Sequence, residues 1–193
     1  MSNQYYVDSL FPSLVVYKDF EIENKKSIIK YSREILKEFG DSPFYSPCIS
    51  TVKTKADILE LPEFSSIRNQ IISCIGAFCQ AMKLNQENLA FADSWLNEYK
   101  IGGYQDLHLH SASTLSGIYY LESEGAKDLS FQAPWHFFQP IEPKIENYDL
   151  TNCHNVEYNT PPGRCYIFMS HLMHRTLPAK KPRLSLSFNI HYT

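Results

Sequence analysis

The sequence predicts an α+β protein that is mainly β, with two N-terminal helices packed on the outside of a jelly roll or barrel. Three observations carry that expectation. Before residue 90, apolar residues recur at helical spacing in two stretches. After it, the chain breaks into seven or eight short segments with strand character, separated by Gly, Pro, Asn and Ser. Aromatics reach 14%, with 13 Tyr and 12 Phe, residues that suit pleated, half-buried surfaces.

The elements follow in order. Ser13-Leu14-Val15-Val16-Tyr17 reads as a short first strand. From about Glu21 to Phe39, the residues Ile28, Tyr31, Ile35, Leu36 and Phe39 mark one helical face, and Gly40 with Pro43 supplies the stop. A second helix runs from about Pro62 to Met82, with Phe64, Ile67, Ile71, Ile75, Phe78 and Met82 along one side; Pro62 suits its first turn. Strands are expected over 91–99, 105–110, 115–121, 129–131, 156–158, 164–169 and 183–192. In the last of these, Leu184, Leu186, Phe188 and Ile190 alternate with Ser185, Ser187, Asn189 and His191, giving one apolar and one polar face. Strands after two helices close into a jelly roll or barrel with the helices outside. The stretch 134–155 is a long connection rich in Pro, Asn and aromatics, a length typical of lids and binding loops. No repeat or linker interrupts the chain. A single domain over 1–193 is therefore expected, with about 1–90 as support and about 91–193 as the β core.

Composition excludes several classes. With 44% hydrophobic and 20% charged residues the 193-residue chain is globular rather than disordered. A net charge of −3 gives no general attraction to nucleic acid or to anionic membranes. No apolar run approaches the ~20 residues that span a bilayer. Met1-Ser2-Asn3-Gln4 lacks the basic start and apolar core of a signal peptide. The five cysteines, odd in number and without a Cys-x-x-Cys pair, read as reduced thiols. A cytoplasmic location is the expectation.

The chemistry-bearing residues are histidines. His108-Leu109-His110 lies on an expected strand, where residues two apart share a face at roughly 6.6–7 Å, close enough for both rings to meet one ion. His171 and His174 follow the strand that ends at Met169, and a barrel can bring them beside the first pair. Farther on, Arg183 and Ser185 share the polar face of the last strand. A guanidinium is a rigid fork for a carboxylate, and a hydroxyl beside it adds a further hydrogen bond. A divalent metal followed by such a clamp is what a 2-oxo diacid needs: its keto acid end chelates, and its far carboxylate meets the arginine. Cys153-His154 lacks a second Cys/His pair at suitable spacing, so zinc is not expected there.

At these residues the sequence resembles the 2-oxoglutarate- and iron(II)-dependent oxygenase superfamily, in particular the small oxygenases common in bacteriophage and bacterial genomes. The resemblance begins weakly at Leu10-Phe11-Pro12-Ser13. It is specific from Ser94-Trp95-Leu96-Asn97 through Gly103-Tyr104, His108-Leu109-His110 and Leu115-Ser116-Gly117-Ile118-Tyr119-Tyr120-Leu121, to His174 and Arg183-Leu184-Ser185-Leu186-Ser187-Phe188-Asn189. It implies a double-stranded β-helix, a jelly roll of cupin-like form, with iron(II) as cofactor and 2-oxoglutarate and O2 as cosubstrates. It implies His108 and His174 as metal ligands, Arg183 and Ser185 on the far carboxylate, and Asn97, Tyr104 and Tyr119 or Tyr120 as lining residues; strand alternation lets only one of that tyrosine pair face inward, and Tyr120 shares its face with Ser116 and Ile118. The implied reaction is hydroxylation of a C–H bond with release of succinate and CO2.

The sequence departs from the family at one position. The superfamily usually presents His-x-Asp or His-x-Glu, whereas here the second residue is His110. All three histidines can bind, Asp106 two residues before His108 can supply the carboxylate, or His110 can leave a position open. His171 stands as a rival to His174. Two functional rivals follow: a three-histidine cupin-type dioxygenase that does not use 2-oxoglutarate, and a non-catalytic barrel that binds a metal or ligand. The primary substrate, whether peptide, nucleobase or metabolite, is not written in these residues.

Overall fold

The computed structural model describes residues 11–42, 46–54, 57–135 and 144–193. Met1, Ser2, Asn3, Gln4, Leu10 and Pro43, named above, lie outside them, as does part of the stretch 134–155. Among the described residues the ten strands are β1 (Val15–Asp19), β2 (Cys48–Ser50), β3 (Leu89–Tyr99), β4 (Gln105–His108), β5 (Leu115–Glu122), β6 (Lys127–Gln132), β7 (Asn155–Asn159), β8 (Arg164–Met169), β9 (His174–Thr176) and β10 (Arg183–Tyr192); the helices are α1 (Lys25–Phe39) and α2 (Ser65–Met82). Pro62 opens a short 3-10 turn over Pro62–Phe64 rather than the helix itself. Two strands, β2 and β9, go beyond the sequence reading. At three residues each they are too short to show a period, and pairing alone makes them strands.

The strands form two antiparallel sheets. The larger has the order β1-β8-β5-β10-β3-β2 and the smaller β4-β9-β6-β7. Together they make a double-stranded β-helix, with α1 and α2 outside.

Why the layers stack this way is written in strand alternation. Leu184, Leu186, Phe188 and Ile190 of β10, with Leu115, Tyr119 and Leu121 of β5, bury against Ile67, Ile71, Cys74 and Phe78 of α2 and Ile28, Ile35 and Leu36 of α1. Each large apolar side chain so buried contributes about 1.5–3 kcal/mol. A second apolar cluster lies between the sheets: Ile118 and Tyr120 of β5, Leu129 and Phe131 of β6, Tyr166 and Phe168 of β8, and Leu172. The polar face of β10 is thus not a solvent face. Arg183, Ser185 and Asn189 are buried as well, pointing between the sheets, and that is where the site lies.

Candidate active site

The smaller sheet carries the histidines. His108 ends β4 and pairs directly with His174, the first residue of β9. His110 follows two residues later, its backbone N–H bonded to the Ser170 carbonyl at 2.9 Å. Ring centroids lie 4.2 Å apart for His108 and His174, and 5.2 Å for His110 with each of the others. One ligand atom from each of the three falls within 4.8 Å of the other two. His171 is exposed and stands apart from the cluster.

Asp106 is exposed and outside the cluster too. The cause is a β-bulge: Gln105 pairs with Thr176 and His108 with His174, so two residues of β4 fit where β9 has one. The extra residue breaks the simple alternation that would put Asp106 on the face of His108. Gln105 takes the inward place instead, its Nε2 3.2 Å from the Nε2 of His108.

The rings are prepared as neutral ligands. His108 donates through Nδ1 to the Asp106 carbonyl at 2.8 Å, and His174 through Nδ1 to the Leu172 carbonyl at 2.9 Å. Those bonds fix the tautomer and leave each Nε2 unprotonated, the arrangement a metal-binding histidine requires. Burial pushes His174 down to about 3 and His110 down to about 4, with the neighbouring His108 adding to both, and it lowers His108 itself. Phe168 and Phe131 pack on His174, with centroids at 4.7 and 6.0 Å. Trp95 flanks His110 at 5.8 Å.

A narrow cleft runs beside these rings; its walls include Trp95, Tyr99, Gln105, Thr176, Ser185 and Ser187. Arg183 lies next to it, 1% exposed, with its guanidinium 4.5 Å above the Tyr99 ring. One side of the guanidinium is occupied: Nη1 is 3.2 Å from Asp128 Oδ2, and Nη2 donates to the Leu177 carbonyl at 3.4 Å. Its Nε and Nη1 nonetheless have no hydrogen-bond acceptor. The Tyr120 hydroxyl, wholly buried, has none either. Tyr120 stands opposite Ser185 on the neighbouring strand. Burial pushes its phenol up, so it stays a donor. Unpartnered buried donors are costly in a folded protein, and the Tyr120 hydroxyl lies within electrostatic reach of the guanidinium. They fit a carboxylate.

The tyrosine pair is thereby separated. Tyr119 faces the helices, donating to Gln70 Oε1 at 2.6 Å, while Tyr120 faces the space between the sheets. Asn97 sits opposite Ser185 on β3, but its amide is engaged by the Ser50 hydroxyl at 2.7 Å and by Ser187 Oγ at 3.1 Å. It braces the wall rather than lining it. Tyr104 is half-buried beyond the cleft, with its backbone N–H on Ser46 Oγ at 3.2 Å. His154 packs on Trp135 at 5.3 Å. Tyr99, Gln105, Thr176 and Asp128 carry no signal in the sequence reading, because their places depend on pairing and on the bulge.

Comparison with known proteins agrees with this fold. The model of a 2OG-Fe(II) oxygenase family matches residues 93–189, just over half of the chain. Among solved structures, the Pseudomonas putida prolyl-4-hydroxylase superposes with a TM-score of 0.63 at 13% identity, covering 93% of this chain and 92% of its own. HygX from Streptomyces hygroscopicus, solved with nickel, 2-oxoglutarate and hygromycin B, gives 0.63 at 12% identity over 94% and 83%. The Trichoplax adhaerens prolyl hydroxylase gives 0.60 at 10% over 93% and 83%. A search of curated proteins finds no sequence match. Among the described residues no helix is long and apolar enough to cross a membrane. With the family model spanning β3 to β10, where the triad and the arginine lie, the chain belongs to the 2OG-Fe(II) oxygenase family.

Proposed function

We propose that the protein hydroxylates a C–H bond of its substrate at an iron(II) ion held by His108, His110 and His174, with 2-oxoglutarate anchored by Arg183. The observation that carries this reading is a buried, half-satisfied guanidinium beside three neutral imidazoles. Iron in that ligand set, with 2-oxoglutarate and O2, supplies the oxidising power, and the products are succinate, CO2 and a hydroxylated substrate. The chain's own residues do the positioning. Tautomer-fixing carbonyls aim the Nε2 lone pairs inward. The guanidinium offers its unpartnered Nε–H to the far carboxylate, with the Tyr120 hydroxyl and Ser185 completing the grip. Asp128 pairs with Nη1 and holds the guanidinium in place. Asn97 keeps Ser187 in place on the same wall. Phe131, Phe168 and Trp95 exclude water from the rings.

An all-imidazole set leaves the metal one unit more positive than two histidines and a carboxylate would. That feature also suits the three-histidine reading in which 2-oxoglutarate plays no part. Conversion of 2-oxoglutarate to succinate separates the two. With iron(II) and O2 the wild type is expected to form succinate, and Arg183→Ala to lower the rate by about 100-fold, the cost of removing one partner of a buried charged contact. Succinate formation that survives Arg183→Ala unchanged would overturn the assignment.

A further inference from the structure

The geometry points to Gln105 as the residue that grips the metal-chelating end of 2-oxoglutarate and so distinguishes a 2-oxo acid from a plain dicarboxylate. This rests on the reading of the cleft as a 2-oxoglutarate pocket.

The β-bulge is the starting point. Residues three apart on a regular strand face opposite ways, yet Gln105 and His108 both point into the cleft because the bulge absorbs one residue. The orientation of the Gln105 amide is then set from both ends. Its Oε1 accepts from the Tyr99 hydroxyl at 3.2 Å. Its Nε2 lies 3.2 Å from His108 Nε2. Since the His108 proton is on Nδ1, given to the Asp106 carbonyl, His108 Nε2 is a bare lone pair and the amide must be the donor.

That lone pair is the one a metal would take. An ion bound there removes the acceptor from the Gln105 amide, while Tyr99 still anchors the other end of the same group. The amide N–H is left in the cleft beside the ion, and an amide nitrogen does not itself ligate a metal. What satisfies it is an oxygen that the ion carries. In this pocket the far carboxylate of the diacid is taken by Arg183, and Tyr99 stands between the two grips, its hydroxyl on Gln105 and its ring face under the guanidinium. The oxygen left for Gln105 belongs to the keto acid end. Tyr99 and Gln105 thus tie the metal half of the site to its arginine half.

Calorimetric titration of the cobalt(II)-loaded protein without O2 tests the assignment, using 2-oxoglutarate and, separately, glutarate, which has the same two carboxylates and no keto group. Gln105→Leu is expected to weaken 2-oxoglutarate by roughly tenfold or more, the loss of one hydrogen bond to a charged group, while leaving glutarate and cobalt affinity within about twofold. Arg183→Ala weakens both diacids. Gln105→Glu keeps an acceptor for Tyr99 and is nearly isosteric, so it decides the matter if Gln105→Leu does not fold; its carboxylate repels the chelating acid and is expected to weaken 2-oxoglutarate at least as much. Unchanged 2-oxoglutarate affinity in either variant, equal losses for both diacids, or loss of the metal itself overturns the assignment. A metal-loaded wild type that ignores 2-oxoglutarate sinks the pocket reading and this inference with it. A wild type that binds, beside variants that bind equally well, sinks the inference alone.

Discussion

His110 and His174 hold their rings neutral before any ion arrives, because burial disfavours the charged form; for them the values fall to about 4 and about 3. A depressed histidine means that the unfolded chain takes up the proton more readily than the folded one. The stability these residues contribute is therefore complete above the unfolded value of about 6.5, and is lost as pH falls from there towards about 4 and about 3. The unfolding midpoint of the metal-free protein is expected to drop as pH is lowered from 6.5 to 4. In an NMR titration the His110 and His174 ring signals should stay constant down to about pH 5; a ring that titrates near 6.5 would contradict the burial argument. The same neutrality governs metal uptake. No proton has to leave these rings at neutral pH, so affinity for cobalt(II) should be flat between about pH 6.5 and 8, and a steep rise with pH across that range would contradict it.

Among the elements, β4, β5 and β10 decide the site. Gly117 of β5 packs so closely that an added methyl would press into the Phe188 ring and the Tyr166 carbonyl. Gly117→Ala is expected to destabilise the fold by about 1–3 kcal/mol, the usual cost of overpacking, read as a lower denaturation midpoint at unchanged slope. The period-two pattern of β10 was legible in the sequence, and so was the helical spacing of α1 and α2, because each extends over enough residues to show its period. The His-x-His spacing of the triad was legible as well, although β4 ends at His108 and His110 lies just beyond it. Other features were not. A bulge leaves no mark in residue identity, so the exchange of Asp106 for Gln105 at the inner face could be read only from the pairing of β4 with β9. Asp128 reaches Arg183 from another sheet, and no local spacing encodes that meeting. The two faces of β10 were legible from its alternation, and Arg183 with Ser185 on the polar one, but alternation does not show that this face is covered by the smaller sheet.

Across the whole molecule, the layers frame the site: helices on the larger sheet, the larger sheet on the smaller, and the imidazoles with the arginine between the two sheets. A ligand that binds only this closed arrangement must stabilise the entire fold. With metal bound, 2-oxoglutarate at a hundredfold excess over its Kd is expected to add about 2.7 kcal/mol, or roughly 5–10 °C in Tm for a chain of this size. Arg183→Ala should erase the increment from 2-oxoglutarate while keeping that from the metal. A 2-oxoglutarate increment that survives in this variant would mean that the diacid binds elsewhere.

The most direct test of the central claim, that one ion and one diacid meet between His108, His110, His174 and Arg183, is an anaerobic titration with iron(II) and then 2-oxoglutarate, watched for the visible charge-transfer band of the chelate. One band is expected, saturating at one equivalent of each, absent in His174→Ala and shifted to far higher 2-oxoglutarate concentrations in Arg183→Ala. A native protein that shows no band, or a band indifferent to both substitutions, would contradict the account.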